Sequence, residues 1–249
     1  MTLLSDPTEQ SRLYQQDAWF VRLAANNPIA EGRESKVYSR PGKPSQLVKV
    51  RKYRQAKNFG VLKRLKNAVR RRFGISPDTY NYHKNIRRQY QAYLDASLRV
   101  ETLRRPPPIA HLRGLLLTDV GFSIVVQKIR NEDGDIAPTV GEIVSKKLMD
   151  AAQLADLLTE FARDMRAFHI LGYDLTLNNL LYETRHGRSR IVLIDGYGPR
   201  SMIPLRSWSR RLNDTCLAEQ FAIMAPKIGC VWDAGIWGFR PAGHASAPP

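Results

Sequence analysis

Two short polar stretches bracket one apolar run, and they restrict the fold more than anything else in these 249 residues. The first is Gly172-Tyr-Asp-Leu-Thr-Leu-Asn-Asn179, in which Asp174 and Asn179 stand five residues apart. The second is Arg190-Ile-Val-Leu-Ile-Asp-Gly196, whose aspartate follows Asn179 by 16 residues. The run before Asp195 reads as a buried strand. Carboxylate and amide oxygens are what a hard cation takes as ligands. A carboxylate beside a hydroxyl can also accept its proton. Each stretch alone is equally ordinary turn chemistry, with Asp and Asn bonding to nearby backbone. Their order, after a long helix-patterned segment and around an apolar strand, favours a functional reading.

Composition narrows the class. Hydrophobic residues make up 43% of the chain, enough for a real core in one large domain or two lobes. No run of 18 apolar residues occurs, so no transmembrane helix is expected. Met1 to Gln16 lacks the layout of a secretory signal. Two cysteines, Cys216 and Cys230, predict a reducing, cytoplasmic setting and no disulfide framework. The net charge of +16 favours an anionic partner. Part of it is concentrated: Arg51, Lys52, Arg54, Lys57, Lys63, Arg64, Lys66, Arg70, Arg71 and Arg72 stand together with no acid among them. Phe59, Leu62, Leu65, Val69 and Phe73 give the same stretch a helical apolar stripe opposite the cations.

The rest of the chain parses by pattern. Ile29-Ala-Glu-Gly-Arg-Glu-Ser-Lys-Val-Tyr38 predicts two strands around a turn at Gly32, and Leu47 to Arg51 a third with Lys49 at its middle. A helix is expected from about Tyr80 to Leu98. Two strands follow, around Asp119-Val-Gly121. Asn131 to Asp135 reads as a polar linker. Thr139 is placed to cap a short helix, and Ala151 to Phe168 carries a helical stripe of Leu154, Leu157, Leu158, Phe161, Met165 and Phe168. A last helical region spans roughly Asp214 to Met224, and Gly235 to Pro249 reads as a loose tail.

Several short motifs together resemble the YrbL-like family of the protein-kinase-like fold. They are Gly32-Arg-Glu-Ser-Lys-Val-Tyr38 with Pro41, Val48-Lys-Val50, Ile86-Arg-Arg-Gln89, Thr118-Asp-Val-Gly121, Asp133-Gly134, Asp174-Leu-Thr-Leu-Asn-Asn-Leu180, Asp195-Gly196 with Gly198, and Ile203-Pro-Leu-Arg-Ser-Trp-Ser209. The resemblance covers about residues 28–225. It implies an α+β, two-lobed fold: a small β-rich N-terminal lobe with a basic helical insertion, and a compact, mainly helical C-terminal lobe. The boundaries it suggests are an N-terminal extension at 1–27, an N-lobe at 28–130 with the insertion at about 54–74, a C-lobe at 131–228 and a tail at 229–249.

The resemblance also implies roles. Asp174 would be the base on a hydroxyl acceptor, and Asn179 and Asp195 would hold Mg²⁺ against the phosphates of ATP. Lys49 would pair with those phosphates, Gly32 would lie in the loop that covers them, and Gln89 would orient Lys49. Family members have Glu where this chain has Gln89, and an amide supplies no charge. The covering loop has one glycine, so phosphate cradling by backbone N–H groups is less complete. The usual His two residues before the aspartate is Gly172 here.

Three functions follow from these features: an Mg-ATP phosphotransferase with a sugar, glycolipid or protein hydroxyl as acceptor; a nucleotide-binding regulatory module; or a basic binding protein. For the basic helix, an anionic membrane surface or glycolipid ranks above nucleic acid, since interleaved stacking aromatics are missing. The expected location is cytoplasmic, with peripheral contact at the inner membrane surface.

Overall fold

The computed structural model describes residues 20–32, 35–52, 84–185, 187–199 and 205–242. The basic stripe expected at about 54–74 lies outside the described residues. The chain forms two compact units. One takes the described residues up to Lys84 together with His111–Lys128; the other takes Asn85–Ala110 and the chain from Ile129 onward.

The first unit is a six-stranded sheet. Its strands are β1 (Phe20–Val21), β2 (Ala30–Glu31), β3 (Ser35–Ser39), β4 (Gln46–Arg51), β5 (Leu112–Thr118) and β6 (Gly121–Gln127). They lie in the order β1-β5-β6-β4-β3-β2, antiparallel except for the β1–β5 pair. Period-two alternation decides which side chains are buried. Val48 and Val50 of β4 join Leu23, Tyr38, Leu116 and Val125 in the core, and Lys49 between them points to the other face. β4 is interior, with Lys49 opposite Val37 on one side and Ile124 on the other. The expected N-terminal extension is therefore partly sheet. Asp119, in the β5–β6 turn, accepts the backbone N–H groups of Leu23 (2.6 Å) and Ala24 (3.0 Å), and Leu23 is fully buried.

The second unit is mainly helical: α1 (Lys84–Leu98), α2 (Val100–Leu103), α3 (Val140–Lys146), α4 (Ala151–Ala167), α5 (Leu205–Trp208) and α6 (Arg210–Met224). Two hairpins accompany them, β7 (Leu180–Arg185) with β8 (Arg188–Leu193), and β9 (Cys230–Asp233) with β10 (Gly238–Pro241). Thr139 caps a short helix as expected, and other caps join it. Thr139 and Glu142 form a reciprocal capping box on α3, and Asp150 and Ser209 cap α4 and α6. α4 buries Leu154, Leu158, Phe161 and Met165 in a core shared with Ile191, Leu193, Leu217 and Phe221. Strands first, then a mainly helical unit with a hairpin, is the order of a protein-kinase-like α+β fold.

Two boundaries differ from expectation. The sequence places α1 in the N-lobe, but Ala96 is buried in the α4 core, and Ala110 N–H donates to Leu193 O at 2.9 Å, so residues 85–110 group with the second unit. The expected tail at 229–249 is structured as far as residue 242. Trp232, Trp237 and Phe239 pack with Phe161 and Phe221, and Phe239 N–H donates to Thr159 Oγ1 at 2.8 Å. A tail reading weighs Gly and Pro content, whereas three aromatic rings recover far more by burial than those residues lose in order. Phe239→Ala is expected to cost about 3–5 kcal/mol in urea unfolding, the usual range for a buried Phe. A loss below about 1 kcal/mol would remove the hairpin from the core.

Candidate active site

The loop from Ile170 to Leu175 is fixed mostly by side chains reaching its backbone. Asn213, fully buried on α6, donates from Nδ2 to Ile170 O (3.1 Å) and accepts Arg206 Nη2 on Oδ1 (2.9 Å). Arg206 Nη2 also reaches Gly172 O at 2.9 Å, and Gln220 Nε2 reaches it at 2.8 Å. Gln220 Oε1 accepts Leu175 N–H at 3.3 Å. A buried amide that satisfies both its ends locks the groups it bonds. A Cβ on Gly172 would come within 2.9 Å of the Leu175 side chain, so Leu175 fills the room a larger residue there would need.

On this loop Asp174 meets the residues the sequence paired with it. Tyr173 N–H (2.8 Å) and Asp174 N–H (3.2 Å) both donate to Gly196 O. Asn179 Nδ2 donates to Asp174 O (2.9 Å) and to Asp174 Oδ2 (3.2 Å). Ile194 N–H donates to Asn179 O at 2.9 Å, which puts Asp195 one residue beyond that link. Asp174, Asn179 and Asp195 are therefore brought together. Gly196 adopts φ 81°, and a Cβ there would lie 2.5 Å from Asp174 O. Both the conformation and the approach demand glycine.

Gln89 belongs to α1 of the second unit. It lies beside Tyr197, directly after Asp195-Gly196. The Tyr197 hydroxyl is buried and has no hydrogen-bond partner of good geometry. Burial pushes its pKa far above the tyrosine range, and the Gln89 amide acts in the opposite direction without closing a regular bond. Gly198 brings α1 against the same loop, since a Cβ there would meet Arg88 O at 3.2 Å.

In the first unit, Lys49 sits mid-sheet on an interior strand. Gly32 N–H donates to Ser35 O at 2.9 Å, the turn expected there. Its φ is outside the left-handed region and a Cβ would find only ordinary contact, so the turn itself does not require glycine.

Do the residues suit a cation? Among the described residues no group of three or more His, Cys, Asp or Glu is arranged to hold one. Asn179 spends its amide nitrogen on Asp174, which leaves Oδ1 as a hard donor, and its backbone carbonyl is bonded by Ile194, the residue before Asp195. Two oxygen donors suit Mg²⁺, which keeps waters and takes phosphate oxygens for the rest. The residues fit that ion.

Sequence reasoning missed Asn213 and Gln220, and named Arg206 only within the Ile203–Ser209 motif. The available signal was an Asn at a buried position of an otherwise amphipathic helix, seven residues after Arg206 of the Ile203–Ser209 motif. His169 follows the end of α4 at φ 51°.

A family profile described as PhoP regulatory network protein YrbL matches residues 21–229. The chain belongs to that family. The YrbL protein of Escherichia coli strain K12 is 26% identical over 204 residues, covering 80% of this chain and 82% of its own length. The YrbL protein of Shigella flexneri matches equally. Among solved structures, the Mycobacterium tuberculosis PknI kinase domain is 16% identical and covers 68% of this chain and 57% of its own, at a TM-score of 0.40. A double mutant of it gives 16%, 68%, 56% and 0.41. The chain thus spans little more than half the length of those kinase domains.

For this YrbL-family chain, Gly196→Ala tests the loop contact against a control. Gly187 has a similar φ of 69°, but nothing lies within 4 Å of the position an added methyl would take. Gly187→Ala should lose only the conformational part, about 1–2 kcal/mol. Gly196→Ala should lose more in urea unfolding and shift the Asp174 and Asn179 amide resonances. Equal losses, with those resonances unmoved, would disprove the close approach.

Proposed function

We propose that this protein is an Mg-ATP-dependent phosphotransferase acting on a hydroxyl acceptor of a sugar, glycolipid or protein. One observation carries the reading: the Asn179 amide bonds Asp174 through both its backbone and its carboxylate, one residue-link away from Asp195. That arrangement would set a base on the Ile170–Leu175 loop beside two cation ligands that flank the β7–β8 hairpin.

In this reading Asp174 takes the proton of the acceptor hydroxyl as its oxygen bonds to the γ-phosphorus and ADP leaves. Asn179 and Asp195 hold Mg²⁺, which when bound neutralises charge on the phosphates. Lys49 supplies a cation to the α- and β-phosphates, and the turn at Gly32 covers them. The N-lobe and C-lobe division belongs to the same proposal. The charge of +16 supports an anionic partner for the protein, and among the described residues no helix is long and apolar enough to cross a membrane.

A nucleotide-binding regulatory role is the second reading, and Gln89 favours it. An amide beside Tyr197 supplies no charge to orient a lysine.

Mg-ATP at about 100 times its dissociation constant should stabilise the wild type by about 2.7 kcal/mol in thermal shift. Asp195→Ala should abolish the Mg²⁺ dependence of that shift. Asp174→Asn should keep nucleotide affinity and lower turnover by about 10²–10⁴-fold. Unchanged Mg²⁺ dependence in Asp195→Ala would end the metal assignment. Nucleotide binding with no turnover in the wild type would establish the regulatory reading instead.

A further inference from the structure

An open cleft of about 460 Å³ lies where the end of α4, the start of α6 and the β9–β10 turn meet. Its walls are Arg163, Arg166 and Arg210 with Ile236 and Trp237. The β9–β10 turn stands beyond residues 21–229, the part matched by the family profile.

The cleft is built, not merely charged. Trp237 adopts φ 52°, a conformation a bulky residue seldom takes. Its indole Nε1 donates to Ala162 O at 3.0 Å, which fixes the ring. The Arg166 guanidinium stacks 4.4 Å from the ring centroid, and its Nε bonds Asp214 Oδ2 at 2.9 Å. Stacking and the ion pair orient Arg166 while its two terminal nitrogens stay unused among the described residues. Arg163 Nη2 donates to Ile236 O at 3.3 Å.

The charge is not balanced locally. Asp214 pairs with Arg166, and Asp233 of β9 pairs with Arg240 at 2.9 Å. Among the described residues neither Arg163 nor Arg210 joins an ion pair. Arg210 opens α6, whose N-terminal dipole adds positive potential. Arg99 feels the excess: burial first, then the like charge of Arg210, lowers its pKa. By contrast, the larger groove beside β7 and β8 mixes both signs of charge: Asp164, Glu183 and Glu160 stand among its arginines, with Arg105 paired to Asp164 and Arg190 to Glu183.

We infer that this cleft binds a phosphoryl dianion, gripped by the guanidinium groups of Arg163, Arg166 and Arg210 against the Trp237 indole. Planar guanidinium forks match phosphate oxygens two at a time, and three of them exceed what one carboxylate neighbour offsets. The site is separate from the proposed phosphotransfer residues. Its occupation would tie the end of α4 to the start of α6, the two elements that flank and hold the Ile170–Leu175 loop.

The test titrates the full chain with inorganic phosphate and pyrophosphate at constant ionic strength, read by tryptophan fluorescence and calorimetry. A parallel arm uses vesicles with and without phosphatidic acid. Saturable binding is expected, weakened at least tenfold by Arg163→Gln with Arg210→Gln, both exposed positions outside ion pairs. It should persist in Lys49→Met, and Trp237→Phe should remove the fluorescence change. Saturation by free phosphate identifies a soluble source, and vesicle binding alone, lost in the double variant, identifies a lipid headgroup. Absence of binding in both arms, or binding unchanged by the double substitution, overturns the assignment.

Discussion

The Gly196 carbonyl accepts the N–H groups of both Tyr173 and Asp174, and the candidate chemistry of the second unit depends on that one junction. It welds the loop after α4 to the loop after β8. No side chain can stand at position 196, because a Cβ would meet Asp174 O at 2.5 Å. The glycine is thus a geometric requirement of the aspartate 22 positions earlier. Around this junction the fold supplies redundancy. Asn213, Gln220 and Arg206 bind the carbonyls of Ile170 and Gly172, and Asn179 binds Asp174 from the other side. An aspartate held by this many satisfied polar groups has little freedom to reorganise.

Much of this was legible in the chain because local rules decided it. Thr139 reads as a helix cap, and it caps α3, with Glu142 completing a capping box. The 3.6-residue stripe of Leu154, Leu158, Phe161 and Met165 becomes the buried face of α4. The alternation around Lys49 gives an interior strand with the lysine opposite the core face. Asp174, Asn179 and Asp195 converge because the strand pair between them, β7 and β8, returns the chain on itself in register.

What escaped the sequence was tertiary. Nothing local says that Ala96 packs on α4 while β5 and β6, later in the chain, belong with β4. Glycine and proline near the C-terminus suggest a tail, yet Trp232, Trp237 and Phe239 close over Phe221 and Thr159. Gly238 is small there because a Cβ would come within 2.6 Å of Thr159 Cγ2. Asn213 and Gln220 look like ordinary polar positions on a helix until their partners, more than 40 residues away, are known.

The central claim is that Asn179 and Asp195 form a cation site completed by nucleotide phosphates. Electron paramagnetic resonance of Mn²⁺, standing in for Mg²⁺, tests it directly. The wild type with ATP should give a protein-bound Mn²⁺ signal that broadens with ¹⁷O-labelled phosphate, and Asn179→Ala should lose it while remaining folded. A bound signal of equal intensity in Asn179→Ala, or none in the wild type at saturating ATP, would contradict the account.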